Sequence, residues 1–244
     1  MKEGGKRLEE HTPTLTLGPV TFNLTLLAMC IIVIAIVFLF VYSTSRNMTL
    51  RPKGKQTVLE FLLSFVSSVT DEHVEKPFRK QYSLFFFCLF LFVMVANNLG
   101  LMTKIETPDR MNLWTSPTAN VGFDLSLSFL ISIICQVEGI RQRGVKAYLK
   151  RFVTPAIMAP MNLLEEVTNV LSLALRLYGN IFAGEIVMGL ILKMLESNVA
   201  WFPVTLVLNI VWTIFSIFIS CIQAYVFTKL SSMYIGKKVN EEEE

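Results

Sequence analysis

The stretch NLTLLAMCIIVIAIVFLFVY, from Asn23 to Tyr42, decides the fold class of this 244-residue chain. It lies inside a longer interval, from His11 to Ser45, that contains no Asp, Glu, Lys or Arg. A helix of about 20 residues spans the roughly 30 Å hydrocarbon core of a bilayer. The stretch is too long for the core of a signal peptide, and no A-x-A cleavage pattern follows it. We therefore predict a membrane-crossing helix here.

Four further apolar stretches are long enough to cross a bilayer, and they cover 83–102, 119–137, 161–195 and 201–225. The chain is 53% hydrophobic and only 17% charged, whereas a soluble domain carries about 25% charged residues. This composition excludes a soluble globule and a disordered chain, and the net charge of +3 gives no support for a nucleic-acid partner. The sequence predicts an all-α integral membrane protein with five membrane-crossing helices in a single membrane domain, 1–244.

The loops between the predicted spans differ in basic residues, and this difference predicts the orientation. The loops after the first and third spans, together with the C-terminal tail, hold fifteen Lys and Arg residues, and the other side of the membrane holds six. Loops rich in Lys and Arg stay in the cytoplasm. We expect the N-terminal segment 1–22 to be external and the tail 229–244 to be cytoplasmic, in a multi-pass protein of the cell membrane.

Two segments fit neither a loop nor a span. Residues 56–70 alternate apolar groups with polar ones after a basic run, which predicts an amphipathic helix lying in the membrane interface. Residues 152–164 contain no charged residue and carry Pro155 and Pro160. That segment is too short and broken to span, so we expect it to lie at the membrane edge, with a loop outside the membrane as the alternative.

The predicted fourth span carries an arginine near its middle. An Arg at the centre of a bilayer helix costs about 2.5–3.5 kcal/mol, and a guanidinium does not lose its proton. At about 100° per residue, one stripe of the helix contains polar or small residues at spacings of three or four: Glu165, Asn169, Ser172, Arg176, Asn180 and Ala183. Glu185 falls on the opposite face, about 13 Å further outward than Arg176. A buried ion pair of Arg176 with Glu185 or Asp124 is the structural alternative.

The predicted fifth span carries a second polar stripe. Its members recur at the same helical spacing: Thr205, Asn209, Thr213, Ser216, Ser220 and Gln223. Small hydroxylated residues also occur where two helices pack closely, so close packing and a hydrated path are both open for the Ser and Thr positions. The amides of Asn209 and Gln223 are costlier to bury, which favours a hydrated path.

Two other classes of protein would also explain a charge in the membrane. A self-contained secondary ion transporter usually has internal repeats and broken helices, and we find no repeat in the sequence. An intramembrane enzyme needs a nucleophile with its base, or metal ligands, but His11 and His73 lie outside the predicted spans and no HExxH or GxSxG motif is present. We therefore expect no active site in this chain, no metal and no cofactor.

The cysteines lie in apolar runs without a CxxC pair, which predicts packed apolar side chains: Cys30, Cys88, Cys135 and Cys221.

Specific motifs identify a family. The runs LALRLYGNIFAGE (173–185) and IQAYVF (222–227) resemble subunit a of the F-type ATP synthase membrane sector. The resemblance extends to ANNLGL (96–101), SPTAN (116–120) and PMNLLEE (160–166), and it covers about 200 residues. The basic loop after the first span and the long polar N-terminus resemble bacterial members.

The resemblance implies a proton-conducting stator, a non-catalytic part of the complex. In this family the last two spans lie against a rotor ring of c subunits, and two half-channels reach the carboxylate of each c subunit. The b-subunit peripheral stalk and the other ATP synthase subunits are the further partners that it implies. Arg176 matches the essential arginine of the family, and Asn180, Glu185 and Gln223 match polar positions around it. Ser216 departs from the pattern, because some members have His or Glu there. Ser172, Asn209 and Glu165, from the two stripes, complete the predicted translocation residues.

Overall fold

The computed structural model describes residues 14–17, 20–46, 48–49, 54–102, 105–106, 112–114, 116–146, 148, 159–197 and 201–240. The helices with defined bounds are α1 Leu24–Ser45, α2 Lys55–Asp71, α3 Lys76–Met102, α4 Val121–Arg143, α5 Ala159–Ser197 and α6 Phe202–Val239. All of them except α2 are long and apolar enough to cross a bilayer. The prediction of a helical membrane protein with five crossing helices is therefore confirmed.

Two short hairpins were not predicted from the sequence. Strand β1 (Thr14–Leu17) pairs antiparallel with β2 (Val20–Asn23), and β3 (Ile105–Glu106) pairs antiparallel with β4 (Asn112–Trp114). The alternation of Thr and Leu in TLTL is a strand pattern, but four residues are too few to predict a strand with assurance. Both hairpins lie at the end of the bundle where α1 begins and α3 ends.

Several helix bounds differ from the predicted spans, and α4, for instance, ends at Arg143 rather than at 137. Helix α3 begins at Lys76, before the predicted start at 83, and α6 continues to Val239, beyond the predicted end at 225. Residues 229–239, which we predicted to be part of a tail, are thus helical. Residues 159–164 form the start of α5, because Pro160 lies in the first turn, where no backbone N–H is needed. The rest of the predicted broken segment, 152–158, lies outside the described residues.

Side-chain caps define where two of the helices begin. The Asn23 side chain accepts a hydrogen bond from the Leu26 amide (3.2 Å) at the start of α1. Asn120 accepts from the amides of Gly122 (2.8 Å) and Phe123 (3.3 Å) at the start of α4. Each cap satisfies backbone donors that have no partner within the helix. Gly144 directly follows the last residue of α4, and its φ of 79° is a conformation that favours glycine.

Helix α3 forms the centre of the packed core. Its side chains Phe86, Phe87, Phe90 and Leu91 are buried, and they belong to one cluster with Phe227 of α6. Because lipid tails are as apolar as these side chains, close van der Waals packing rather than exclusion of water stabilises such a core. The core therefore holds α6 in a fixed position relative to α3.

Helix α2 packs one face on this core and leaves another exposed. Leu59 and Val66 are buried, whereas Val58 and Phe61 are exposed. The bounds Lys55–Asp71 agree closely with the predicted amphipathic segment 56–70. A position in the membrane interface stays a prediction for this helix.

Lysines in the second half of α6 are paired with carboxylates on other elements. Lys229 Nζ lies 2.9 Å from Glu72 Oε2, and this hydrogen bond lowers the pKa of the Glu72 carboxyl. Lys237 pairs with Glu165 at 2.9 Å, and Lys238 pairs with Glu166. These pairs hold the end of α6 against the start of α5. We call the end of the bundle that carries Lys237 and Lys238 the basic end.

Candidate functional site

Arg176 lies in the middle of α5, at the surface of the bundle. Its side chain is exposed, and Nη2 donates to Ser172 Oγ at 3.4 Å. Among the described residues, no carboxylate lies within 4.0 Å of the guanidinium. The charge of Arg176 thus lies at the exposed surface of an otherwise apolar part of the helix.

The predicted stripe of α5 is present, and its polar members vary in exposure. Glu165 is exposed, Asn169, Ser172 and Asn180 are half-buried, and Ala183 is exposed. Near Arg176 the same stripe of α5 also exposes a residue without a side chain. Gly179 is exposed, and a Cβ built on it meets no atom within 4 Å. Two helices can approach closely over such a surface.

The alternative of a buried ion pair between Arg176 and Asp124 is wrong. Asp124 is fully buried on α4, and neither of its carboxylate oxygens has a hydrogen-bond partner in the described part of the chain. Arg176 is exposed on a different helix. Glu185 is half-buried on α5, nine residues and about 13 Å beyond Arg176, next to Gly184.

The polar stripe of α6 faces the interior of the bundle. Thr205, Ser216, Ser220 and Gln223 are buried, and each has a side-chain atom without a hydrogen-bond partner among the described residues. Between Thr205 and Ser216 on the same stripe, the Thr213 hydroxyl donates a hydrogen bond of 3.2 Å to the Asn209 amide oxygen. Buried polar atoms are paired in native proteins, with water where protein groups are lacking. The stripe therefore holds buried polar atoms for which the described part of the chain provides no partner.

Two contacts between α5 and α6 define the depth of Gln223. Trp212 Nε1 donates to the Gly184 carbonyl at 3.3 Å, and the Lys237–Glu165 pair lies near the basic end. Counted along α5 from Gly184 toward Glu165, Arg176 lies about two-fifths of the way. The same fraction counted along α6, from Trp212 toward Lys237, leads to about residue 223. Gln223 and Arg176 therefore lie at about the same depth.

A cavity of about 240 Å³ separates α5 from α6 on the side of Arg176 that is remote from the basic end. Asn180 and Ser216 both line it, and Asn180 Nδ2 and Ser216 Oγ are without partners among the described residues. The remaining lining is Ala183, Gly184, Trp212, Phe215 and Ile219. The structure thus brings together two predicted site residues from different helices, whereas Glu185 is not part of this lining.

A second and larger cavity, about 570 Å³, opens at the basic end. Glu165 and Asn169 of the α5 stripe line it, together with Tyr234 of α6. It reaches Leu173, next to Ser172, within one helical turn of Arg176. Sequence reasoning missed the contribution of Tyr234, because α6 was predicted to end before it.

Comparison with known proteins gives a consistent result. Residues 26–236 match the family model described as ATP synthase A chain. The chain is 61% identical over 236 residues to an ATP synthase subunit a of Streptococcus equi subsp. zooepidemicus, which covers 97% of this chain and 99% of the relative. It is 60% identical to that of Streptococcus pyogenes serotype M1, with the same coverage, and 61% identical to that of Streptococcus gordonii (96% and 99%). The chain therefore belongs to the ATP synthase A chain family, as a multi-pass membrane subunit that works with other ATP synthase subunits.

Proposed function

We propose that this chain is the proton-conducting stator of a rotary F-type ATP synthase, with Arg176 facing the carboxylates of a c-subunit ring. The observation that carries the proposal is the exposed Arg176 at mid-helix without a carboxylate of its own. A guanidinium left in lipid costs about 2.5–3.5 kcal/mol or more. A partner that brings a carboxylate to this face removes that cost.

A fixed cation beside a moving carboxylate determines where the proton leaves. At about 4 Å and an effective dielectric near 20, the guanidinium stabilises a carboxylate by about 4 kcal/mol. A ring carboxyl that arrives protonated therefore gives up its proton near Arg176. Away from Arg176 the neutral acid is the form that can face lipid, because an ionised carboxylate is costly to bury. A membrane potential of 100 mV adds about 2.3 kcal/mol for each proton that crosses.

Two polar routes approach Arg176 from opposite ends of the bundle. One runs from the basic end through the larger cavity, along Glu165, Asn169 and Ser172. The other runs along the α6 stripe, past Asn209 and Ser216, through the smaller cavity to Asn180 and Gln223. We assign the first to the inner half-channel and the second, with Glu185 beside it, to the outer half-channel. Arg176 stands between them, and its charge opposes direct passage of a proton.

Orientation and partners complete the proposal. The fifteen-to-six difference in basic residues favours an external N-terminus and a cytoplasmic C-terminus in a bacterial plasma membrane. Exposed apolar side chains on α1, such as Ile31 and Phe38, leave a surface for lipid or for the b-subunit peripheral stalk.

The proposal is tested by ATP-driven proton pumping in inverted membrane vesicles that carry Arg176→Lys or Arg176→Ala. Both variants should assemble but fail to pump, since lysine keeps the charge and loses the planar fork of donors. Lys193→Gln is the matched control, because Lys193 is an exposed cation on the same helix but nearer its C-terminal end. Pumping by Arg176→Lys at the rate of the unmodified enzyme would contradict the proposal.

A further inference from the structure

Asp124 is a buried carboxyl group that the half-channel residues described above do not include. It is 0% exposed, and both of its oxygens are without a hydrogen-bond partner among the described residues. Ser128, one turn further along the same face of α4, is 1% exposed, and its hydroxyl also is without a partner there. A carboxyl group is costly to bury without partners, so this position calls for an explanation.

The register between α4 and α6 shows which residues lie opposite Asp124. At the basic end, a Cβ on Gly139 would lie 3.2 Å from Lys238 Cβ, and Arg143 Nε donates to the Lys238 carbonyl at 3.0 Å. Both helices run toward the basic end, and Gly139 and Asp124 lie on the same buried face of α4. Counting back about 22 Å along each helix leads from Gly139 to Asp124 and from Lys238 to residue 223.

Asp124 therefore lies at the depth of Gln223, which is also about the depth of Arg176. Here the interior holds several buried side chains that have atoms without partners in the described chain, among them Asp124, Ser128, Ser220 and Gln223, and Asn97 of α3 lies close by. In native proteins such groups are bridged by ordered water. No other charged residue lies at this depth on α3 or α6, and on α5 the nearest is Arg176, which lies at the surface of the bundle.

We infer that Asp124, Ser128, Ser220 and Gln223 form a hydrated proton-binding site inside the bundle, in which Asp124 exchanges protons with the larger cavity, because Ser128 lines that cavity. This inference rests on the proposed function. In the exchange, the Asp124 carboxyl gives its proton to a water molecule in the larger cavity, and the carboxylate then accepts a proton from water on the side of the ring. The charge of the site returns to zero after each passage. The amide and hydroxyl groups hold the waters in place and take no proton themselves.

The test compares Asp124→Asn with Asp124→Glu in the assembled complex in vesicles. Asparagine keeps the shape and removes the titrating group, so passive proton conduction after removal of the soluble ATPase part should fall at least tenfold. Glutamate keeps the titrating group and should retain a substantial part of the rate. Ser126→Ala, which removes an exposed hydroxyl of α4 that lies outside the site, is the matched control and should conduct at the unmodified rate.

Infrared spectroscopy of the same complex gives a readout that a structural role would not change. Protonated ring carboxyls contribute a carbonyl stretch to both complexes, and a further component of this band should be present in the unmodified complex and absent in Asp124→Asn. Conduction by Asp124→Asn at the unmodified rate would overturn the inference. So would equal losses in Asp124→Asn and Ser126→Ala, which would indicate a general disturbance of α4. If Asp124→Asn fails to assemble, Asp124→Ser decides by the same criteria.

The inference and the proposed function can fail separately. If the Arg176 variants pump, the proposed function is wrong whatever Asp124 does. If the Arg176 variants are inactive while Asp124→Asn conducts normally, the stator assignment stands and the Asp124 site is wrong.

Discussion

Replacing Gly179 with leucine tests whether the face of α5 beside Arg176 meets a partner. Gly179 is exposed three residues beyond Arg176, and a Cβ there meets no atom of the described chain within 4 Å. Leucine should therefore fit this subunit. It is also the better helix former, by somewhat under about 1 kcal/mol, so the helix is not weakened. A loss of transport would then report a clash with another subunit.

The size of the loss can be worked from the packing geometry. Helices that meet through small residues lie about 8 Å apart, and larger side chains increase the separation to about 10 Å. A shift of about 2 Å moves a ring carboxylate from about 4 to about 6 Å from the Arg176 guanidinium, and the attraction falls from about 4 to about 3 kcal/mol. A loss slightly above 1 kcal/mol corresponds to roughly a tenfold change in the binding equilibrium.

The assay is ATP-driven acidification of inverted vesicles, normalised to the amount of assembled complex. Gly189→Leu is the matched control, since a Cβ on Gly189 also meets nothing within 4 Å. It lies about 15 Å further along α5 and about 80° around the helix. We expect roughly tenfold slower pumping for Gly179→Leu and little change for Gly189→Leu. Unchanged pumping by an assembled Gly179→Leu complex would refute the reasoning and indicate that this face contacts lipid.

Three further predictions concern orientation, packing and the outer path. In a variant without native cysteines, a cysteine at Asn112 should react with an impermeant thiol reagent added outside cells, and one at Lys146 should not; the reverse pattern would contradict the orientation. Gly236→Ala should lower the unfolding free energy by about 1–3 kcal/mol, because the new Cβ collides with a carbonyl oxygen of the α2–α3 turn, and an unchanged Tm in detergent would argue against that contact. Glu185→Gln should slow pumping steeply and a second change, Ser216→His, should restore part of it; full activity of the single variant would give Glu185 a structural role.

The sequence was sufficient for the spans and for the stripe around Arg176, because both follow from patterns along one helix. Hydropathy identifies an apolar helix, and the spacing of three and four shows which side chains share its face. The exposure of Arg176 and the burial of Ser216 and Gln223 depend on neighbouring helices, so only the structure shows them.

The end of α6 was not predictable for a physical reason. Lys229, Lys237 and Lys238 make residues 229–239 read as a charged tail, whereas in the fold these lysines pair with Glu72, Glu165 and Glu166. Those carboxylates are distant in the sequence.

The residues proposed to surround Asp124 were not predictable from the sequence for a similar reason. Its partners by depth come from α6, and the register that aligns them is set by contacts at the opposite end of both helices. A pattern along one helix contains no information about this alignment.

Site-specific photo-crosslinking from Leu175 tests the central claim most directly. Leu175 is 54% exposed beside Arg176, so a photoreactive phenylalanine there leaves the arginine unchanged. In the assembled complex the crosslink should capture a ring subunit, through the peptide that holds its mid-membrane carboxylate. The same probe at Phe129, on the exposed face of α4, should not capture that peptide. Crosslinks from Leu175 to lipid alone, in a complex that pumps, would contradict the account.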